Sequence, residues 1–236
     1  MTQINLEFSG LTISAPRQRD RLMAIDLTKM WIDHAVVLGA QRVMINQGSQ
    51  GGTAPVMPTH ENKVYGIPTL KAMADYGRSK GIIVSVETRG AGGGNRGAGA
   101  SRGTAAVAPT GQAPGQTPSA AAPAAAPPGS APAAPAMPQP EVWALLAEIL
   151  KGAGAYANVD VGGAGAANQE ELHQCLRLLF PLTAGSMHTR VNARWDLATA
   201  IKFLEHDLGY KGLYTIEASN GHEGTQAIYD VVVANI

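Results

Sequence analysis

Two hydrophobic periodicities alternate along this chain. Short runs rich in β-branched and apolar residues read as strands: Ile4 to Ser14, Arg42 to Asn46, Gly81 to Thr88, Ala155 to Val161, Gly185 to Val191 and Gly212 to Ala218. Helical patterns lie between them. Arg17 to Leu38 places Leu22, Ile25, Met30 and Val37 near helical spacing. Pro68 is expected to open a helix carrying Leu70, Met73 and Tyr76 that stops before Gly81. Glu141 to Lys151 carries Val142, Leu145, Leu146 and Ile149, and Asn168 with Glu171 forms a capping-box signature ahead of Leu172, Leu176 and Leu179. Asp196 is placed to cap a helix bearing Leu197, Ile201 and Leu204, and a last amphipathic segment runs from Thr225 to Ile236. Six strand-helix units at roughly 30-residue spacing predict a parallel α/β sheet, doubly wound or closed as a barrel.

One stretch breaks the alternation. From Ala91 to Pro140, 36 of 50 residues are Ala, Gly or Pro, only Arg96 and Arg102 are charged, and no aromatic residue occurs. Such a segment buries too little apolar surface to offset its ordering entropy, so it is expected to be a disordered insertion acting as a spacer. The structured domain is then discontinuous, residues 1–90 joined to 141–236. Proline every few residues also stops the uncharged run from Gly103 to Pro140 from being a membrane helix.

Charge and cysteine content narrow the function classes. Eighteen basic and eighteen acidic side chains cancel, which removes the electrostatic case for a nucleic acid or acidic membrane partner. The single cysteine, Cys175, sits among Leu172, Leu176 and Leu179 and is expected to be an inert packing thiol. The chain as written shows no charged n-region followed by an apolar h-region, so a cytoplasmic location is expected, with export left open should residues precede Met1.

In parallel α/β folds, functional groups gather at the carboxyl ends of the strands. There VSVE ends at Glu87, ANVD at Asp160, GSMH at His188 and YTIE at Glu217. The gaps are 73, 28 and 29 residues, and the first becomes 23 once the 50-residue insertion is removed. A strand-terminal acid often only caps the next helix, and a lone histidine is often simply satisfied in place. Four in phase gather three like charges at one mouth, which is costly without a compensating cation. Three carboxylates and one imidazole favour Mn²⁺ or Mg²⁺, with Co²⁺ and Fe²⁺ chemically compatible, and they exclude a thiolate-type zinc site. A divalent ion flanked by two glutamates suits proton transfer beside a carbonyl.

The order Glu, Asp, His, Glu, together with YGIPTLKAMADYGRSKGIIVSVETRG, NVDVGGAGAANQEEL, MHTRVN and GYKGLYTIEAS, resembles the sugar phosphate isomerase/epimerase superfamily, the xylose-isomerase-like (β/α)8 TIM barrels. The resemblance implies that Glu87, Asp160, His188 and Glu217 bind one divalent metal, usually Mn²⁺. It also implies that Glu87 and Glu217 serve as acid and base on opposite faces of a sugar substrate. Arg190 and Arg194 are candidates to grip substrate hydroxyls, and His222 to line the mouth with Asn220; Asn46 and Gln47 end an earlier strand within reach. His34, His60, His173 and His206 fall on the wrong phase.

Two departures qualify the resemblance. Counting back from Glu87 and Glu217 as the ends of the fifth and eighth family strands makes Ile4 to Ser14 the third, so the barrel is expected to lack its first two units and to self-associate through its open edges. Relatives that epimerise ketoses often carry a further glutamate just after the first metal glutamate, where this chain has Thr88, Arg89 and Gly90. The leading reading is a metal-dependent sugar isomerase or epimerase working through an enediolate. A lyase acting on oxidised glycosides uses the same metal geometry, and a non-catalytic barrel remnant is the third alternative. The endonuclease branch of the superfamily needs more strand-end histidines and a basic groove. No Gly-rich phosphate cradle is present, so nothing marks the substrate as phosphorylated.

Overall fold

Each hydrophobic run becomes a strand only as far as a neighbouring strand pairs with it. The computed structural model of the chain describes residues 1–6, 8, 11–46, 59–88, 137–217 and 221–236. Along it run β1 (Gln3–Leu6), α1 (Gln18–Leu38), β2 (Arg42–Asn46), α2 (Lys63–Ser79), β3 (Ile83–Glu87) and α3 (Gln139–Ala153). They are followed by β4 (Tyr156–Asn158), α4 (Gln169–Leu179), β5 (Ser186–Thr189), α5 (Leu197–Lys202), β6 (Leu213–Ile216) and α6 (Gly221–Val233). The described part of the chain falls within one unit drawn from Met1–Gly94 and Met137–Ile236.

All strand pairs are parallel. β1 to β4 form one sheet in chain order, and β5 pairs with β6. The two pieces are stitched at Asp160 and His188, where the His188 amide donates to Val159 O and the Val161 amide to His188 O, both at 2.9 Å. The result is a six-strand arc with every carboxyl end on the same side. Among the described residues, β1 and β6 each have a strand neighbour on one side only. The apolar core lies between the arc and its helices: Val43, Ile45, Val84, Val86, Ala157, Val159 and Met187 from the strands meet Ile32, Leu70, Leu146, Leu150, Leu172 and Leu176 from the helices. Cys175 is buried among them, and burial pushes its thiol far up, as expected of a packing residue.

Several boundaries differ from the sequence expectation: the last helix starts at Gly221 instead of Thr225, the fourth strand keeps only Tyr156–Asn158, and three further differences have a local cause. The first strand ends at Leu6 instead of reaching Ser14, because its last ladder partner is Ile45 and β2 ends one residue later; the chain then turns, with the Ala15 amide bonded to Thr12 O. Pro68 lies inside α2 and does not open it. The helix starts earlier because Thr59 and Asn62 bond reciprocally, the Thr59 amide to Asn62 Oδ1 (2.7 Å) and the Asn62 amide to Thr59 Oγ1 (3.1 Å). Pro68 then forfeits the bond its missing amide would have made to Val64 and crowds the Val64 carbonyl, a cost the helix bears near its amino end. α3 begins at Gln139, inside the stretch assigned to the insertion. Met137 packs partly buried on the core, and Pro140 sits in the first turn of α3, where a missing amide costs nothing. The disorder expected for the remainder of the insertion lies outside the described residues.

The expected caps are present. Asn168 Oδ1 accepts from the Glu171 amide at 3.0 Å, and Asp196 Oδ2 from the Thr199 amide at 2.8 Å. The reciprocal glutamate bond goes to the Ala167 amide, one residue before the cap. At the far end of α1, Gly39 takes the left-handed conformation (φ 68°) that lets the following Ala40 amide turn back onto Ala35 O at 2.9 Å.

Trp143 couples this scaffold to the loop after β4. Its ring is 2% exposed, and its Nε1–H donates to Ala164 O at 2.8 Å; Gln139 Nε2 donates to the same carbonyl at 3.0 Å. Trp143→Ala is expected to lower unfolding free energy by about 3–5 kcal/mol, since it leaves a cavity as well as losing transfer energy. Trp143→Phe should cost distinctly less. Urea denaturation of the two variants checks this, and equal losses would show that the indole N–H, not the ring volume, carries the contribution.

Candidate functional site

Polar residues recur at every second position on five of the six strand segments: Gln3 and Asn5, Ser85 and Glu87, Asn158 and Asp160, Ser186 and His188, Thr215 and Glu217. Because side chains alternate across a strand, each pair lies on one face while the apolar residues between them face the helices. Contacts across the interior identify that face as the concave side of the arc. From β1, Gln3 Nε2 lies 3.4 Å from His188 Nε2 on β5, and its Oε1 accepts from Asn158 Nδ2 beside β3 at 3.1 Å. The inner face is thus polar and the outer face apolar.

At the carboxyl rim this inner face gathers charge. Glu87 ends β3, His188 lies in β5, and Glu217 follows β6; one ligand-capable atom from each falls within 4.8 Å of the others. His188 Nδ1 is 2.9 Å from Glu87 Oε1 and 3.9 Å from Glu217 Oε2. Glu87 and His188 are almost fully enclosed, at 2% and 3% exposure, whereas the Glu217 side chain remains partly open to the mouth. Burial alone would pull the His188 imidazole towards neutrality. The hydrogen bond and charge of Glu87, with Asp160 and Glu217, outweigh that effect and raise it overall. Two carboxylates and an imidazole, two of the three groups buried and all converging, form an oxygen-rich donor set that fits a divalent cation of the Mn²⁺ or Mg²⁺ type.

Asp160 stands beside this trio without joining it. Its backbone bridges His188, its amide donates to Thr88 Oγ1 at 2.9 Å, and its carboxylate is otherwise engaged. Oδ1 accepts from the Gly163 amide at 2.8 Å and Oδ2 pairs with Arg190 at 2.6 Å. Burial pushes the Asp160 carboxyl up to about 6; Arg190 pulls it down, while Glu87 and Glu217 push it further up. The neighbouring glycines make room for this pair. A Cβ on Gly162 would run into Arg190, and one on Gly163 would overlap both Arg190 and the Asp160 carboxylate.

The other predicted positions spread out. Arg190 belongs to the rim, with Nη1 3.9 Å from Glu217 Oε2. Arg194 points elsewhere, its Nη1 donating at 3.4 Å to Ala166 O in the loop braced by Trp143. His222 is exposed in the first turn of α6. Asn46 ends β2 in register with Glu87, and Gln47 and Asn220 fall outside the described residues. Of the histidines set aside, His60 pairs with Glu141 and His173 stacks on Phe203. Gln3 and Asn158, which contact the site from within, were not singled out in the sequence. Their signal was the polar alternation itself, legible only once the interior face is known to be polar.

No family model matches the chain, and no curated protein matches it in sequence. Solved structures do. A D-tagatose 3-epimerase-like protein superposes with a TM-score of 0.63 at 16% identity, over 98% of this chain and 76% of that one. The 3-keto-D-glucoside 4-epimerase YcjR of E. coli gives 0.60 at 12% identity, over 99% and 77%. A sugar phosphate isomerase/epimerase of Parabacteroides distasonis gives 0.57 at 14%, over 99% and 71%. The chain therefore shares its parallel α/β fold with these proteins over nearly its whole length. Among the described residues no helix is long and apolar enough to cross a membrane.

The buried charges fix a pH dependence for the metal-free protein. Asp160 is raised in the fold, so its contribution is complete below its unfolded value near about pH 4 and is lost as pH rises through about 6. A shift of this size corresponds to a loss on the order of 3 kcal/mol. The raised His188 acts in the same direction at higher pH. In chelator-treated protein, the stability difference between wild type and Asp160→Asn should shrink or reverse between pH 4.5 and 7.5, read by denaturant melts at each pH. A difference that grows with pH would show that the Arg190 pair outweighs burial.

Proposed function

We propose that this chain is a divalent-metal-dependent sugar isomerase or epimerase that moves a proton on the carbon beside a carbonyl. The observation that carries the reading is the convergence of Glu87, His188 and Glu217 at one rim of the parallel arc. Similarity to sugar epimerase folds supports the substrate class, and the zero net charge of the chain speaks against a nucleic-acid substrate. Glu87, His188 and Glu217 hold the ion in this proposal, with Asp160 as fourth ligand. Mn²⁺ is the proposed ion, as one that takes carboxylate oxygens together with an imidazole. When bound, such an ion polarises adjacent carbonyl and hydroxyl oxygens.

The chain's own residues supply the rest. One glutamate takes the proton from the carbon next to the carbonyl, leaving an enediolate. The other returns a proton, to the opposite face for epimerisation or to the neighbouring carbon for isomerisation, so substrate and product are isomers. Glu217, partly open to the mouth, meets the substrate directly. Glu87 works from the enclosed side, where His188 fixes its Oε1. Arg190, Arg194 and His222 are the proposed contacts to substrate hydroxyls; Arg190 is at the rim, and Arg194 reaches it only if the 162–167 loop releases it. In this proposal the six units correspond to the third to eighth of an eight-unit barrel, supported by the 76% and 77% of the first two related chains that this one covers. A cytoplasmic location completes the proposal.

A second reading has one observation in its favour. The E. coli protein acts on a 3-keto-glucoside, so an oxidised glycoside can stand in place of a free ketose: proton loss on one side of the carbonyl leads to epimerisation, and proton loss on the side next to the anomeric carbon leads to elimination of the glycosidic oxygen. The test supplies Mn²⁺ and, in D₂O, a panel of ketoses, ketose phosphates and 3-keto-glycosides. Deuterium is expected to enter at the carbon beside the carbonyl of at least one class, and Glu217→Gln should lower that exchange by roughly 10²–10⁴-fold. Full exchange by Glu217→Gln, or none with any substrate in Mn²⁺-loaded wild type, would overturn the proposal.

A further inference from the structure

Arg190 occupies an unusual position for a residue meant to meet substrate. Its Nη2 lies 2.6 Å from Oδ2 of a carboxylate whose side chain is 2% exposed, and its Nη1 lies 3.9 Å from Glu217 Oε2. That same Glu217 oxygen is also 3.9 Å from His188 Nδ1. The guanidinium therefore touches the edge of the Glu87, His188, Glu217 trio while holding the one predicted ligand that stands outside it. This pairing is built into the chain. Gly162 and Gly163 leave the space that Arg190 fills, and Asn192 Nδ2 holds the loop down through Gly162 O at 2.7 Å.

We propose that Arg190 is the resident counter-ion of the metal-free site, and that it and the metal ion are alternative partners for Asp160. The inference rests on the metal reading proposed above and adds a regulation to it. Three carboxylates crowded at one rim repel one another, and some cation must offset them at every stage. In the metal-free protein His188 faces Glu87, and the guanidinium serves Asp160 and the edge of Glu217. A divalent ion among the trio brings like charge against Nη1 and competes for Asp160 Oδ2, so occupancy releases Arg190 towards the open mouth, where a sugar's hydroxyl groups arrive. Metal loading and the presentation of a substrate-gripping arginine then become one linked event.

Linkage gives the test a sign that a simple substrate contact lacks. Wild type, Arg190→Gln and Arg190→Lys are stripped with chelator and titrated with Mn²⁺, free ion being followed by its electron paramagnetic resonance signal; thermal melts are recorded with and without metal. Arg190→Gln should bind Mn²⁺ roughly 5- to 150-fold more tightly than wild type, the usual span of such couplings. Its metal-free form should melt lower than wild type, and Mn²⁺ should raise its melting temperature by more. Arg190→Lys keeps the charge without the fork and should fall between, so it carries the test if the glutamine variant does not fold. Unchanged or weaker Mn²⁺ binding in the variants, with wild type binding normally, would overturn this inference alone. No Mn²⁺ binding in any of the three proteins would overturn the metal reading itself.

Discussion

Charge balance at one rim of a parallel arc is the constraint on which this structure turns. Six strands carry their carboxyl ends to the same side, and Glu87, Asp160 and Glu217 arrive there with a single imidazole between them. Glu87 and Asp160 are almost completely withdrawn from water. Buried like charges do not persist uncompensated. Here His188 leans on Glu87 and Arg190 on Asp160, and the strain of that arrangement is seen in Asp160, whose carboxyl is pushed up despite an arginine at contact distance.

Much of the frame around this rim was legible because it follows from periodicity. All six units were read with the right element types, and Glu87, His188 and Glu217 converge as their common phase required. What escaped was set by partners distant in sequence. The first strand stops at Leu6 because β2 ends, and no property of residues 7–14 announces that. Pro68 lies inside its helix because Thr59 and Asn62 close a turn ahead of it, a local bond pair that outranks the proline signal. The face on which the polar pairs Gln3 and Asn5, or Ser85 and Glu87, lie is settled only when the strands pair with one another. It is the inner face of the arc.

Asp160 shows the limit of phase as an argument. Strand position places its backbone against His188 as the pattern demands, yet the side chain is claimed by Arg190 and the Gly163 amide. Which partner wins depends on rotamer and charge competition, and the Gly162–Gly163 pair is the sequence trace of that competition. The supporting loop is itself held from behind by Trp143 and Gln139 on the Ala164 carbonyl, so the first helix after the Ala/Gly/Pro-rich stretch steadies the rim from the outside.

The proposed chemistry depends on this rim being a cation site. Diffraction from crystals grown with Mn²⁺, with anomalous data collected on either side of the manganese edge, tests it most directly. One strong manganese peak is expected, enclosed by Glu87, His188 and Glu217 at roughly 2.0–2.3 Å from their oxygen and nitrogen atoms. A rim with no anomalous density at millimolar Mn²⁺, and Arg190 still seated on Asp160, would contradict it.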